Sequence, residues 1–277
     1  MKIEEEQSGL EVTAVDNQIH SDDALHPNIL HHPFTWAIAG PKGSGKSNLI
    51  WRLLGGMRKT PKRPAIPYYK RYFDRVCVFS PTWHLDEKMQ KLNIREENIF
   101  SDEDEFPERL EELLLDQEME VLEYGRDECE KVLLVFQDLA GNSQIFGHAR
   151  GPWVKLALNA RHYNISILLD TQRIRLLNPA FRSNLQGIAC FDVNNRLELQ
   201  TLAEENANGL CYDEWVQLFH HCVKKRYGFL FINYQKSLAE GRFFNKFNQL
   251  TISCLKSEIK VAEESKTDSS PADPPKA

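Results

Sequence analysis

The sequence predicts an α/β fold in which a mainly parallel sheet is sandwiched by helices. Three observations carry that expectation. Short, near-continuous apolar runs recur along the chain, as they do in strands buried on both faces. Segments with helical apolar spacing separate those runs. One strand-to-helix junction carries a complete phosphate-binding motif, Gly40-Pro41-Lys42-Gly43-Ser44-Gly45-Lys46-Ser47, matching G-x-x-x-x-G-K-[ST] at every fixed position.

In chain order, residues 1–29 hold seven acidic side chains and one lysine. They offer too little apolar surface to offset the entropy of ordering and read as a flexible acidic leader. The folded body is expected over residues 30–256. Its predicted strands are Phe34–Ala39, Arg75–Phe79, Val132–Phe136, Ile165–Leu169, Ile188–Phe191 and Tyr227–Ile232. Its predicted helices are Asn48–Leu54, about Pro107–Glu123, Trp153–Ala160, about Asn195–Asn206 and Asp213–Cys222. Leu110, Leu113, Leu114, Val121 and Leu122 mark one face of the second helix, and Gly55-Gly56 ends the first. Residues 257–277, rich in Pro, Ser and charge, read as a disordered tail. No repeat at a solenoid period is present.

Composition narrows the function. The 277 residues carry 34 Lys+Arg against 40 Asp+Glu, a net charge of −6, which argues against a protein that coats nucleic acid over its whole surface. The hydrophobic share, 42%, is ordinary for a globular protein. No apolar run approaches the ~18 residues of a membrane span. The N-terminus lacks a positively flanked apolar stretch, so a secretory signal is not expected. Cys77, Cys129, Cys190, Cys211, Cys222 and Cys254 form no C-x-x-C pair, which suits a reducing compartment. His220, His221 and Cys222 are adjacent on a predicted helix and point apart, so they are not read as a metal site.

The glycine loop has a definite chemistry. Gly40, Gly43 and Gly45 let the backbone curl until successive N–H groups face one anion. The helix that follows turns its positive end toward the phosphates. Residues 40–48, through Asn48, are the expected ATP-binding stretch. Lys46 is expected at the β/γ-phosphates and Ser47 in the Mg²⁺ shell.

An acid near Mg²⁺ is also needed, delivered at the end of a neighbouring strand. Gln137-Asp138, after the apolar run 132–136, is the best candidate, with Asp138 as Mg²⁺ ligand and catalytic acid; a capping Asp after a strand is the alternative. Asp170 is the other acid at a strand end and is a second candidate for Mg²⁺ or water. Asn245-Lys246-Phe247-Asn248 lacks the aspartate of a guanine-specific element, which argues against a GTPase.

Four blocks then carry a family resemblance: AIAGPKGSGKSNLI at 37–50, VCVFSPTW at 76–83, VLLVFQDLAG at 132–141, and NARHYNISILLDTQ at 159–172, which runs on into NPAFRSNLQGIACF at 178–191. Across residues 34–235 the chain resembles the genome-packaging ATPases of the FtsK/HerA superfamily, the poxvirus-like type of large DNA viruses, virophages and related elements. The resemblance implies an additional-strand, RecA-like P-loop core. The strand ending at Gln172 would lie between the P-loop strand and the Gln137-Asp138 strand, with Gln172 as a polar sensor that positions the attacking water. Transition-state charge on the γ-phosphoryl is commonly stabilised by an arginine from a neighbouring subunit, and an arginine supplied in that way would imply a homo-oligomeric ring. Arg161 and Arg182 match arginine positions of the family blocks; Arg150, Arg173 and Arg175 compete, and any of them can be a solvated surface residue. One departure stands out. Relatives carry two acids where this chain has Gln137-Asp138, so Gln137 contributes an amide oxygen and no charge.

The activity so implied is an ATP-hydrolysing motor that translocates double-stranded DNA into a preformed viral capsid. Its partners would be the DNA and capsid or portal-vertex proteins, and its location the host cytoplasm, a virus factory or the virion. A cellular DNA pump or helicase of the same superfamily is an alternative, as is a nucleotide-binding assembly scaffold with weak hydrolysis. Contact with DNA would be local. Residues 57–75 hold seven Lys/Arg with Tyr68, Tyr69, Tyr72 and Phe73 interleaved, suited to tracking phosphates and stacking on bases. A solvated connector is the other reading of that segment. Lys224-Lys225-Arg226 is a second, smaller basic spot.

Overall fold

The computed structural model describes residues 25–55, 68–139, 152–193, 195–207 and 209–252. The order along the chain is β1 (Thr35–Ala39), α1 (Lys46–Leu54), β2 (Arg75–Phe79), α2 (Glu87–Gln90), β3 (Ile99–Phe100), α3 (Phe106–Tyr124) and β4 (Val132–Phe136). It continues with α4 (Pro152–Asn159), β5 (Ile165–Thr171), α5 (Pro179–Ser183), β6 (Gly187–Phe191), α6 (Arg196–Asn206), α7 (Tyr212–Val223), β7 (Phe229–Asn233), β8 (Phe243–Asn245) and β9 (Asn248–Gln249). Every predicted strand and helix is present, with ends displaced by no more than about two residues, the usual uncertainty of such boundaries. The elements not anticipated, β3, β8, β9, α2 and α5, are two to five residues long. Runs that short carry no readable period.

The strands form one sheet in the order β3-β2-β4-β5-β1-β6-β7-β8-β9. The first six are parallel, and β7, β8 and β9 are added antiparallel at one edge. β5 lies between β1 and β4, where the inserted strand was expected. β1, β4, β5, β6 and β7 are buried along their whole length. That explains why they read as continuous apolar runs rather than as alternating ones.

Two cores cover the faces. On one, Leu49, Ile50 and Leu53 of α1 pack with Ile38, Val78, Val135 and Leu168. On the other, Leu110 and Leu114 of α3, Leu156 of α4, Leu202 of α6, and Trp215 and Phe219 of α7 pack with Phe79, Leu134, Ile167 and Ile188. The α1-side core begins earlier than the expected boundary at residue 30. Leu25 and Ile29 are buried in it, so the last residues assigned to the leader belong to the folded body. Residues 1–24 and 253–277 lie outside the described residues.

Candidate nucleotide site

The glycine loop joins the carboxyl end of β1 to α1, so it sits where parallel strands deliver ligand-binding groups. Gly43 has φ 78° and Gly45 φ 114°, backbone angles that L side chains rarely adopt. Gly40 is needed for space instead: a Cβ there would come within 2.7 Å of the Phe191 Cβ and 2.8 Å of the Ser44 hydroxyl oxygen. Lys46 opens α1 and is buried, its ammonium donating to the carbonyls of Gly40 and Pro41 at 3.0 and 3.4 Å. The Ser44 hydroxyl is buried without a protein partner, a donor left for an anionic oxygen in the cradle. Ser47 is half-buried on the next position, and the exposed Asn48 side chain accepts from the Lys88 ammonium at 2.5 Å.

Four strand ends converge beside the loop. The Gly40 N–H donates to the Thr171 carbonyl at 3.0 Å, so Gln172, exposed and one residue further on, flanks the first residue of the loop. β4 pairs Phe136 with Leu169, which sets Gln137 beside Asp170, and β1 pairs Ile38 with Asp170 on the other side. Ile38, Leu168 and Val135 all belong to the α1-side core. In-register neighbours of a parallel sheet share a face, so Asp170 and Gln137 point toward α1. Both are buried, as is Ser80 at the end of β2. Asp138 behaves differently. Its φ of 57° breaks the alternation, its side chain is exposed, and the Thr82 hydroxyl donates to its carboxylate at 2.7 Å.

The carboxyl of Asp170 is shifted upward. Burial pushes it up to about 6, opposed by the Asp138 N–H that it accepts and by the Lys46 ammonium; the Asp138 carboxylate pushes it further up. The available donors are the Ser47 hydroxyl, the Gln137 amide oxygen and the carboxylates of Asp138 and Asp170. All are hard oxygens, the set that suits Mg²⁺ shared with phosphate and water. Among the described residues no group of three His, Cys, Asp or Glu is gathered that could form an all-protein cage.

Aromatic and basic residues outside the glycine loop complete the surroundings. An apolar cleft of about 370 Å³ beside the loop is lined by Gly45, Asn48, Arg52, Phe191, Tyr227 and Phe247, among others. A second cleft, about 320 Å³, lies between Pro41–Ser44 and Lys224, Lys225 and Arg226. The Arg226 guanidinium stacks over the Tyr227 ring at 4.8 Å. The smaller basic spot thus borders the phosphate loop. The loop and the Lys224-Lys225-Arg226 spot are the sequence signals for these clefts; the aromatic walls at Tyr227 and Phe247 carry none.

The candidate arginines fall at two ends of the sheet. Arg161 is exposed in the turn that enters β5, at the end away from the loop. Arg182 precedes β6 and pairs with Glu205 at the end of α6, at 3.5 Å. Neither is brought to the loop of its own chain. Arg173 and Arg175 are exposed just beyond β5, on the loop side, and Arg150 lies outside the described residues.

The aromatic part of the 57–75 reading is corrected. Tyr69 and Phe73 are buried in the α1-side core, and Tyr68 and Tyr72 pack against it. The Tyr69 hydroxyl donates to the Leu30 carbonyl at 2.5 Å. The buried Tyr69 and Phe73 rings stabilise the fold and cannot also stack on bases, while Tyr68 is half-buried and lines the cleft beside Gly45. Arg75 is engaged by Glu130 at 3.3 Å. Lys70 and Arg71 are exposed, and residues 56–67, including Lys62 and Arg63, lie outside the described residues.

No family model matches the chain, and no curated protein matches it by sequence. Solved structures do match. The DNA-packaging ATPase B204 from Sulfolobus Turreted Icosahedral Virus is 19% identical, covering 74% of this chain and 94% of that one, with a TM-score of 0.50. The genome packaging NTPase B204 from Sulfolobus turreted icosahedral virus 2, solved with AMP, is 20% identical, covering 74% and 95%, also at 0.50. A weaker likeness, TM-score 0.35, is to the N-terminal domain of zonular occludens toxin from Neisseria meningitidis, 15% identical over 59% of this chain and 78% of that domain. The fold is therefore the mixed α/β architecture of the B204 proteins, as the sequence predicts.

Proposed function

We propose that this chain is a ring-forming, Mg²⁺-dependent ATPase of the FtsK/HerA type that moves double-stranded DNA into a preformed viral capsid. The observation that carries the reading is the loop of residues 40–47 set against the ends of β4 and β5, with Lys46 buried between them. The B204 proteins, a DNA-packaging ATPase and a genome packaging NTPase, support the same activity.

In this reading the loop amides and Lys46 bind the β- and γ-phosphates, and the Ser44 hydroxyl adds a donor. The cleft of Phe191, Tyr227 and Phe247 takes the base, because aromatic faces stack on it and exclude water. Ser47 and Asp138 hold Mg²⁺, which when bound neutralises developing phosphate charge. Gln172 orients the attacking water, and Asp138 takes its proton. Arg161 and Arg182, on the far end of their own sheet, would act only on a neighbouring subunit's site, so a ring is part of the proposal. Exposed Lys70 and Arg71, with Lys62 and Arg63, give DNA a local basic contact through phosphates alone. No helix among the described residues is long and apolar enough to cross a membrane.

Gln137 favours one other reading, a nucleotide-binding assembly scaffold, since it removes a charge from the position after β4. ATP turnover measured across a titration of duplex DNA separates the two. Stimulation by DNA supports the motor; tight ATP binding with no turnover at any DNA concentration supports the scaffold.

A further inference from the structure

Gln137, buried after β4 and facing α1, brings a neutral amide to the metal side of the site. The strand next to it carries a carboxylate at the same level. Asp170 is in register with both Ile38 of β1 and, through the Phe136–Leu169 pair, Gln137 after β4. It points to the α1 face and is only 3% exposed. β5 is hydrogen-bonded directly to β1, whereas β4 is one strand further out. Asp170 therefore lies about 4.8 Å, one strand spacing, closer to the loop than the position Gln137 occupies. It is within electrostatic range of Lys46, the residue that precedes Ser47 on α1.

The remaining acid does not substitute for it. Asp138 is turned out of the pleat and engaged by Thr82. A buried carboxylate with one N–H donor and one nearby ammonium is costly to keep ionised. A second cation beside it would offset that cost. We propose that Asp170 is the anionic group that holds Mg²⁺ of the bound Mg²⁺·nucleotide, taking over from the adjacent strand the role that Gln137 cannot fill. The inference rests on the nucleotide reading given above and changes one assignment within it, moving the Mg²⁺-holding carboxylate from Asp138 to Asp170. Asp138 is then free to serve as the base toward water.

The test is binding, independent of turnover. A fluorescent N-methylanthraniloyl derivative of a non-hydrolysable ATP analogue is titrated with Mg²⁺ and with EDTA. Asp170→Asn keeps the shape and still accepts the Asp138 N–H; Asp170→Thr is a second acceptor variant should the first melt early. Both should lose roughly tenfold or more of the Mg²⁺ enhancement of affinity, the usual loss when a group supporting a bound metal is removed. Affinity in EDTA should be unchanged or tighter, since a negative charge near the triphosphate is gone. Gln137→Asp added to Asp170→Asn should recover the enhancement by returning the charge to the outer strand. Equal losses with Mg²⁺ and with EDTA would make Asp170 a purely structural cap and overturn the inference. So would a full Mg²⁺ enhancement in Asp170→Asn. Failure of the wild-type protein to bind the probe in either condition would instead remove the nucleotide reading itself.

Discussion

The backbone N–H of Asp138 donates to the carboxylate of Asp170 at 2.9 Å, tying the turn after β4 to the end of β5. This bond fixes the two acids relative to each other across the strand that the resemblance placed beside the phosphate loop. It also gives them different surroundings: Asp170 is buried near Lys46, and Asp138 is exposed beside Thr82.

The first consequence is a pH-dependent stability. Asp170 has its carboxyl raised from 3.8 to about 6, mainly by burial, so folding favours its protonated form. Below the unfolded value the group costs nothing; as pH rises through about 6 the full cost of a buried charge appears. A shift of that size corresponds to about 3 kcal/mol as an order of magnitude. Without nucleotide or divalent cation, Asp170→Asn should melt like the wild type near pH 4 and above it at pH 7. A melting-temperature difference that does not change with pH would contradict this.

Asp138→Asn should abolish most hydrolysis and leave ATP binding intact, since Lys46 and the loop amides remain. Removing a group that activates water costs on the order of 10²–10⁴ in rate. Single-turnover hydrolysis compared with nucleotide affinity checks it. Unimpaired hydrolysis would assign the base elsewhere.

The strands and the loop were readable because each is long enough to carry a period or a fixed motif. Val132–Phe136 and Ile165–Thr171 are buried on both faces, and such strands announce themselves by apolar continuity. The pairing of Asp170 with Gln137 was not readable in that way. It depends on which strands are neighbours, and only the resemblance supplied the order. Tyr69 and Phe73 show the opposite failure. An interleaved basic and aromatic segment has the composition of a nucleic-acid surface, yet two of its rings, Tyr69 and Phe73, fill the core beneath α1. Composition records which residues are present and not which way they face. The clefts around Tyr227 escaped because their walls come from α1, β6, α7 and the β8–β9 hairpin together.

Neutralising Lys62, Arg63, Lys70 and Arg71 together should weaken duplex binding and flatten its salt dependence. Four lost phosphate contacts would lower the log–log slope by about 3.6. Because Tyr69 is a core residue, Tyr69→Ala should instead reduce thermal stability. An unchanged salt slope would return the segment to a connector.

Tyr227→Ala should weaken ATP binding by about tenfold, the loss of one base-stacking ring, with little effect on affinity for inorganic triphosphate. Equal losses for both ligands would move the base away from this cleft.

The central claim is that Lys46 and its loop bind ATP for hydrolysis coupled to DNA. Steady-state ATPase activity of the wild-type protein and of Lys46→Ala, each across a titration of duplex DNA in saturating Mg²⁺, tests it most directly. Wild-type turnover should rise with DNA, and Lys46→Ala should lose on the order of 10²–10³ at every DNA concentration. Equal turnover in the two proteins, or wild-type turnover indifferent to DNA, would contradict it.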